Sequence, residues 1–209
     1  MNASSELERW NGRFSAEGYV FGSEPNAFLA SQEHRLKPGM TALCVADGEG
    51  RNSVWLARRG LRVTAFDFSP VGVRKARDMA ARAGVQAEYS VADINGWDWD
   101  ARQFDCVVAI FIQVSAPPER QRVFQGFGRA LKPGGLLILQ GYTPKQIEYR
   151  TGGPKQAENM YTAALLRRSF GMLDILHLAE HEDVVKEGAG HSGLSALIDL
   201  VAQRPVSAN

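Results

Sequence analysis

From Pro38-Gly39 to about Gln140, short apolar or β-branched runs alternate with longer stretches of helical periodicity. Such alternation predicts a mostly parallel sheet wrapped by helices, with right-handed crossovers between neighbouring strands. Thr41 to Ala46 predicts the first strand, and Arg51 to Arg59 a helix with Val54, Trp55, Leu56 and Ala57 on or near its inner side and Gly60 as its stop. Arg62 to Phe66 predicts the second strand, with Asp67 at its carboxyl end. Ser69-Pro70 then supplies an N-cap and a first-turn proline for a helix to about Arg82, which Gly84 ends. Gln86 to Val91 reads as a third strand finishing at Ala92-Asp93-Ile94, and Asp105 to Phe111 as a fourth, apolar enough to be buried on both faces. A helix from about Pro118 to Leu131, a Lys132-Pro133-Gly134-Gly135 turn and a fifth strand, Leu136 to Gln140, complete the series.

The last third changes texture. Tyr142 to Lys155, rich in Gly, Pro, Thr and Tyr, reads as a long loop over the carboxyl edge of the sheet, and Ala157 to Phe170 as a helix. Two apolar runs, Met172 to Ala179 and Ser195 to Ala202, predict a closing antiparallel pair linked through His181-Glu182-Asp183 and Glu187-Gly188-Ala189-Gly190.

Composition narrows the function. The chain has 209 residues, 44% of them hydrophobic and 22% charged, which predicts a single domain over 1–209. A formal net charge of +1 leaves no electrostatic footprint for nucleic acid, and the one dense basic cluster, Arg74, Lys75, Arg77 and Arg82, has the spacing of a solvated helix face. Cys44 and Cys106 sit inside apolar runs and belong to no C-x-x-C, so they read as buried thiols without metal or redox chemistry. Met1 to Glu6 shows no leader pattern, and no segment approaches the roughly 18 apolar residues of a membrane span. The expected compartment is the cytoplasm and the expected state a monomer or weak homodimer, with neither membrane nor nucleic acid as partner.

Chemistry concentrates where three strands end. Ala46-Asp47-Gly48-Glu49-Gly50-Arg51-Asn52 joins the first strand to its helix, and its glycines allow a tight turn and a close backbone approach to a ligand. Asp67 stands nineteen residues beyond Gly48, near the spacing of about 20 at which a carboxylate grips a ribose. Asp93 could accept a hydrogen bond from an exocyclic adenine amine, Phe68, Ser69, Ala92 and Ile94 sit at the same strand ends, and Ile110 sits near the end of the fourth strand. A turn or cap role for Asp67 and Asp93 is the plainer alternative. Asp47 and Glu49 would repel a pyrophosphate but favour a guest with a positive centre, and S-adenosylmethionine carries a sulfonium, an ammonium and no phosphate.

With these residues in place, the chain resembles the class I S-adenosylmethionine-dependent methyltransferases from Trp10 to Pro205, on the Ala46–Gly50 loop, Asp67, Asp93-Ile94 and Leu131-Lys132-Pro133-Gly134-Gly135. Trp10-Asn11-x-Arg13-Phe14 and Tyr19-x-Phe21-Gly22-x-Glu24-Pro25-Asn26-x-Phe28-Leu29 resemble the N-terminal signature of the small tellurite-resistance and thiopurine methyltransferase-like branch. The resemblance implies a Rossmann-like seven-stranded sheet with the last strand antiparallel, helices on both faces, and residues 1–36 as a helical cover over the cofactor. It also implies methyl transfer to a small-molecule acceptor, a thiol or a tellurite- or selenite-like oxyanion. Two departures stand out: Cys44 replaces the usual acid before the loop, and Ala46 its first glycine. Asp47 or Glu49 is then left to support the cofactor's ammonium.

The sulfonium already activates the methyl group, so the protein must chiefly align an acceptor and exclude water. Tyr19, Trp10 and Phe14 are candidates for closing over the positive sulfur, and an aromatic plug over the sheet edge is the alternative for each. His191, beside Ser192 in a glycine-rich bend, is a weak candidate for a proton acceptor, with a surface hairpin residue as its plainer reading. His34, His177 and His181 show no ligand spacing, while Tyr142, Tyr149 and Thr151-Gly152-Gly153-Pro154 are placed to shape an acceptor pocket. Two other functions remain open: a cofactor-binding protein without turnover, and a nicotinamide oxidoreductase, which would need a third loop glycine where Ser53 stands.

Overall fold

The computed structural model describes residues 3–188 and 190–206, without the side chain of Ala3. Met1 and Asn2 of the N-terminal segment and Ala189 of the predicted linker lie outside the described residues.

Seven strands form one sheet in the order β3-β2-β1-β4-β5-β7-β6. They are β1 Thr41–Val45, β2 Arg62–Asp67, β3 Glu88–Val91, β4 Phe104–Ile110, β5 Leu131–Tyr142, β6 Asp174–Glu187 and β7 His191–Gln203. β1 runs parallel to β2, β2 to β3 and β4 to β5, whereas β7 is antiparallel to β5. This is the predicted Rossmann-like α/β sheet with its last strand reversed. Among the described residues no helix is long and apolar enough to cross a membrane.

The chain groups into two compact units. The first takes the residues up to Gly96 together with 187–190. It holds α1 Ala3–Phe14, α2 Ala27–Ser31, α3 Arg51–Arg58 and α4 Pro70–Arg82. β1 is buried along its whole length, as its apolar run predicts. Ser69 caps α4 by accepting from the backbone N–H of Gly72, and Pro70 follows in the first turn, as the sequence predicts. Val54, Met79 and Ala80 join α3 to α4 through a small apolar cluster.

The second unit comprises Trp97–Lys186 and the residues from His191 onward, with α5 Pro117–Ala130, α6 Gln146–Tyr149 and α7 Ala163–Ser169. Its core is aromatic. Phe124 lies 5.4 Å from Tyr161 and 4.8 Å from Phe170, and Trp99 packs edge-on against Phe127 at 5.2 Å.

Four predicted elements are corrected here. Lys132 to Gly135 is not a free turn before β5 but a bulge within it: Phe104 pairs with Leu131 and Cys106 with Leu136, so two steps on β4 answer five on β5. A Cβ at Gly135 would stand 2.9 Å from the Lys132 carbonyl and 3.0 Å from that of Phe104, which is why the bulge needs glycine there. The helix expected over Ala157 to Phe170 is a 3-10 turn, Ala157–Asn159, followed by α7. Thr162 starts the new helix by accepting from Leu165 N, and the break lets Tyr161 bury its ring and donate its N–H to the Tyr142 carbonyl at 3.0 Å. His181-Glu182-Asp183, expected in a linker, lies inside a longer β6, and the expected loop over Tyr142 to Lys155 contains the end of β5 and α6.

Candidate cofactor site

In the first unit the parallel register brings the carboxyl ends of β1, β2 and β3 side by side, Val45 against Phe66 and Asp67 against Val91. Ala46–Gly50, Asp67–Ser69 and Ala92–Ile94 therefore emerge at one edge. Asp67 is buried, and each carboxylate oxygen holds one backbone N–H: Oδ2 accepts from Gly48 and Oδ1 from Ser69, both at 2.8 Å. A carboxylate offers about four acceptor positions, so one on each oxygen remains. Burial, as the largest cause, holds the Asp67 carboxyl above its usual range.

The loop is shaped by its glycines and by one residue that is not glycine. Gly50 has φ 95°, and a Cβ there would meet the Ala76 Cβ of α4 at 2.7 Å, so only glycine lets α3 and α4 pack this closely. Ala46 carries φ 48°, the left-handed conformation that alanine adopts only with strain. Where the first glycine is replaced, the backbone has kept the glycine geometry.

The two loop carboxylates part company. Glu49 Oε1 is 2.6 Å from Lys75 Nζ and its Oε2 accepts from Val20 N at 2.7 Å, so its charge is already matched within the protein. Asp47 instead turns to α3, where Ser53 N donates to Oδ1 at 3.3 Å and Ser53 Oγ bonds Oδ2. Burial pushes the Asp47 carboxyl up to about 7, against the lowering effect of the Ser53 hydrogen bonds.

Lys75 corrects the expectation of a wholly solvated basic face. Besides Glu49 it donates to the carbonyls of Phe14 at 3.0 Å and Ala16 at 3.1 Å, and its ammonium sits 5.4 Å from the Tyr19 ring centre. Arg74, Arg77 and Arg82 are exposed, as predicted.

The N-terminal signature residues converge on the loop. Phe14 is buried, and a Cβ at Gly48 would come within 3.3 Å of its ring. Trp10 stacks on Phe14 with ring centres 5.3 Å apart, and Phe21 meets Phe14 edge-on at 6.3 Å. Asn11 Oδ1 accepts from Ser69 Oγ at 2.6 Å. Tyr19 is the exception: its ring packs with Val54, Met79 and Ala80 between α3 and α4, which gives it a packing role.

Arg51 and Asn52, expected at the cofactor, are both buried at the start of α3. Arg51 Nη2 pairs with Glu187 Oε2 at 2.6 Å, while its buried Nη1 has no hydrogen-bond partner. Asn52 Oδ1 accepts from Asn26 N at 2.9 Å, and Asn26 Nδ2 donates to Glu187 Oε1 at 2.8 Å. Glu187 and Asn26 were given no such role by the sequence, because an acid in a predicted hairpin linker carries no local signal of what it will meet. Asp93 is exposed, its Oδ1 accepting from the backbone and side-chain nitrogens of Asn95 at 2.9 and 3.1 Å, the turn role weighed for it. Its Oδ2 stays open, and Ile94 beside it is buried. Ala92 N donates to the Asp67 carbonyl at 3.0 Å, and Phe68 is half-buried.

In the second unit Ile110 ends β4, and Phe111 after it has φ 54°. The surface reading of His191 is corrected: it is buried at the start of β7, 4.5 Å from the Phe111 ring and 5.7 Å from that of Tyr142, because β7 begins earlier than the apolar pattern suggests. Tyr142 is buried in the same cluster, Tyr149 is half-buried and its hydroxyl donates to Glu182 Oε2 at 2.5 Å, and Thr151 Oγ1 donates to the Leu194 carbonyl at 2.6 Å.

Residues 42–135 match the family profile described as a methyltransferase domain. A ubiquinone biosynthesis O-methyltransferase of Xanthomonas axonopodis pv. citri is 36% identical over 109 residues, 50% of this chain and 44% of that protein. The chain spans less than half the length of the curated relatives it matches. Among solved structures, a protein studied for the conversion of a disulfide bond into a thioacetal group during echinomycin biosynthesis superposes with a TM-score of 0.75 at 20% identity, over 97% of this chain and 93% of that one. The N-methyltransferase NodS of Bradyrhizobium japonicum in complex with S-adenosyl-L-homocysteine gives 0.70 at 13% identity, covering 95% and 98%. TehB of Haemophilus influenzae gives 0.70 at 12% identity, covering 95% and 67%. The fold is therefore that of the class I S-adenosylmethionine-dependent methyltransferases.

Proposed function

We propose that the protein is an S-adenosylmethionine-dependent methyltransferase acting on a small-molecule nucleophile, a thiol or a tellurite- or selenite-like oxyanion, in the tellurite-resistance and thiopurine methyltransferase-like branch. The observation that carries this reading is Asp67, whose two oxygens each hold one backbone N–H and each keep one acceptor position. Those two free acceptor positions fit the two hydroxyls of a ribose, which would donate to them. Arg51 Nη1, buried without a partner, fits the carboxylate of an amino-acid tail, and Gly48 and Gly50 let the backbone approach closely. Asp93 Oδ2 and buried Ile94 suit the amine and face of an adenine.

When bound, the cofactor supplies an electrophilic methyl group on a positively charged sulfur. Phe14, with Trp10 stacked on it and Phe21 edge-on to it, would exclude water beside Gly48 and present an aromatic ring to that charge. Neither a thiolate nor an inorganic oxyanion needs a proton removed at the moment of transfer. The N-terminal signature supports the branch because its Phe14 lies against Gly48 of the loop, its Trp10 stacks on Phe14, its Asn11 bonds Ser69 at the start of α4 and its Asn26 bonds Asn52 at the start of α3. A neighbour of the same fold named for chemistry at a disulfide supports sulfur as acceptor. In this reading the enzyme works in the cytoplasm as a monomer or weak homodimer.

Calorimetry tests binding first: S-adenosylmethionine should bind at micromolar affinity and Asp67→Ala should weaken it. Radiolabelled methyl is then followed into a panel of thiols, tellurite and selenite. Binding without transfer to any of them would leave a cofactor-binding protein, and no binding at all would remove the reading.

A further inference from the structure

Ser53 Oγ sits among three oxygens. It bonds Asp47 Oδ2, lies 3.0 Å from the Gly50 carbonyl and 2.9 Å from the Tyr89 hydroxyl. These positions close two complete hydrogen-bond patterns. With Asp47 ionised, Tyr89 donates to Ser53 and Ser53 donates to Asp47. With Asp47 protonated, Asp47 donates to Ser53, which still accepts from Tyr89, and Ser53 donates to the Gly50 carbonyl. Neither pattern strands a hydroxyl hydrogen, so the loop can gain or lose one proton without moving a side chain.

The charges facing Asp47 leave that proton finely balanced. Burial and the neighbouring Asp67 favour the protonated form, and Arg51 and the Ser53 bonds favour the ionised one. Glu49 adds negative charge beside Asp67 but is matched by Lys75, while Tyr89 and the Cys44 thiol are weak acids next to the same network. Asp47 thus titrates near neutrality, at about 7. A fixed positive charge arriving in the loop would tip it to the ionised pattern.

Resting on the methyltransferase reading, we propose that the cationic methyl donor binds this loop with release of the proton held by the Asp47–Ser53–Tyr89 network, whereas the neutral-sulfur product binds with that proton retained. The proton leaves to solvent as Asp47 becomes the counter-charge to the sulfonium-bearing ligand. Loss of the methyl group removes that charge, and Asp47 takes a proton back. The loop then distinguishes donor from product by charge, with acid favouring the product.

Calorimetric titrations of S-adenosylmethionine and S-adenosylhomocysteine at mildly acidic pH, in phosphate and in imidazole buffer, read the protons released from the dependence of the heat on buffer ionisation. The donor should release about half a proton or more and the product close to none, and the donor alone should tighten about tenfold between pH 6 and pH 8. Asp47→Asn should abolish both effects. Should that variant not fold, Tyr89→Phe removes the donor that completes the ionised pattern and should shift the donor's pH dependence upward. Equal proton counts for the two nucleosides, or none for the donor, would overturn the proposal while leaving the cofactor assignment standing. Absence of heat and of thermal stabilisation with both would instead remove the methyltransferase reading itself.

Discussion

Lys75 Nζ lies 2.6 Å from Glu49 Oε1, and this ion pair fastens the N-terminal segment to the glycine loop. The same ammonium holds the carbonyls of Phe14 and Ala16, and the same carboxylate holds Val20 N. Two charged side chains thereby fix the chain on both sides of the turn that follows α1.

Lys75→Met would leave Glu49 buried without a counter-ion. Removing one partner of a buried pair costs about 3–5 kcal/mol, and the partial exposure of Lys75 places this case at the lower end, about 3. Urea unfolding should show that loss, and the double variant with Glu49→Gln should lose less than the two single losses added together. Full additivity would mean that the pair does not couple.

Asp67→Ala removes the acceptor positions assigned to the ribose and leaves Gly48 N and Ser69 N without their partner. Two charge-assisted hydrogen bonds at about 1.5–3 kcal/mol each predict an affinity for S-adenosylmethionine at least about a hundredfold weaker. Calorimetry reads this, and a change under threefold would place the ribose elsewhere.

Backbone conformation predicts opposite outcomes at two loop positions. Ala46→Gly relieves a left-handed alanine and should stabilise the protein by about 1 kcal/mol, net of the extra freedom of the unfolded chain. Gly50→Ala forces a Cβ to 2.7 Å from that of Ala76 at a φ of 95° and should cost more than about 3 kcal/mol. Thermal melts of both variants decide it.

Asp47 has its folded value raised to about 7 from 3.8, so its contribution to stability is present below 3.8 and is lost as pH rises from there to about 7. Asp47→Asn should therefore stabilise the ligand-free protein at pH 8, by up to about 4 kcal/mol, and the gain should shrink as pH falls toward 4. A gain independent of pH across that window would show that Asp47 is not the titrating group.

Periodicity made β1, β2, β4, α3 and α4 legible, because each is either a buried apolar strand or a helix with its own stop and start residues, such as Gly60 and Ser69. Tyr161 was not legible as the end of a helix, since what breaks the helix is an aromatic core formed with Phe124, distant in sequence. The partners of Lys75 were not legible for a related reason. Its spacing within α4 is that of a solvent-facing residue, and only the return of α1 over that helix gives it partners.

The sequence by itself determined the βα order, the glycine loop and the acid nineteen residues beyond Gly48, because strands, turns and caps are encoded by neighbouring residues. Only the tertiary structure decided how Asp47 and Glu49 differ. One is bound to Ser53 within a network able to hold a proton, and the other is matched by a lysine twenty-six residues away. Local pattern places a carboxylate on the chain, but its charge state follows from what folding buries beside it.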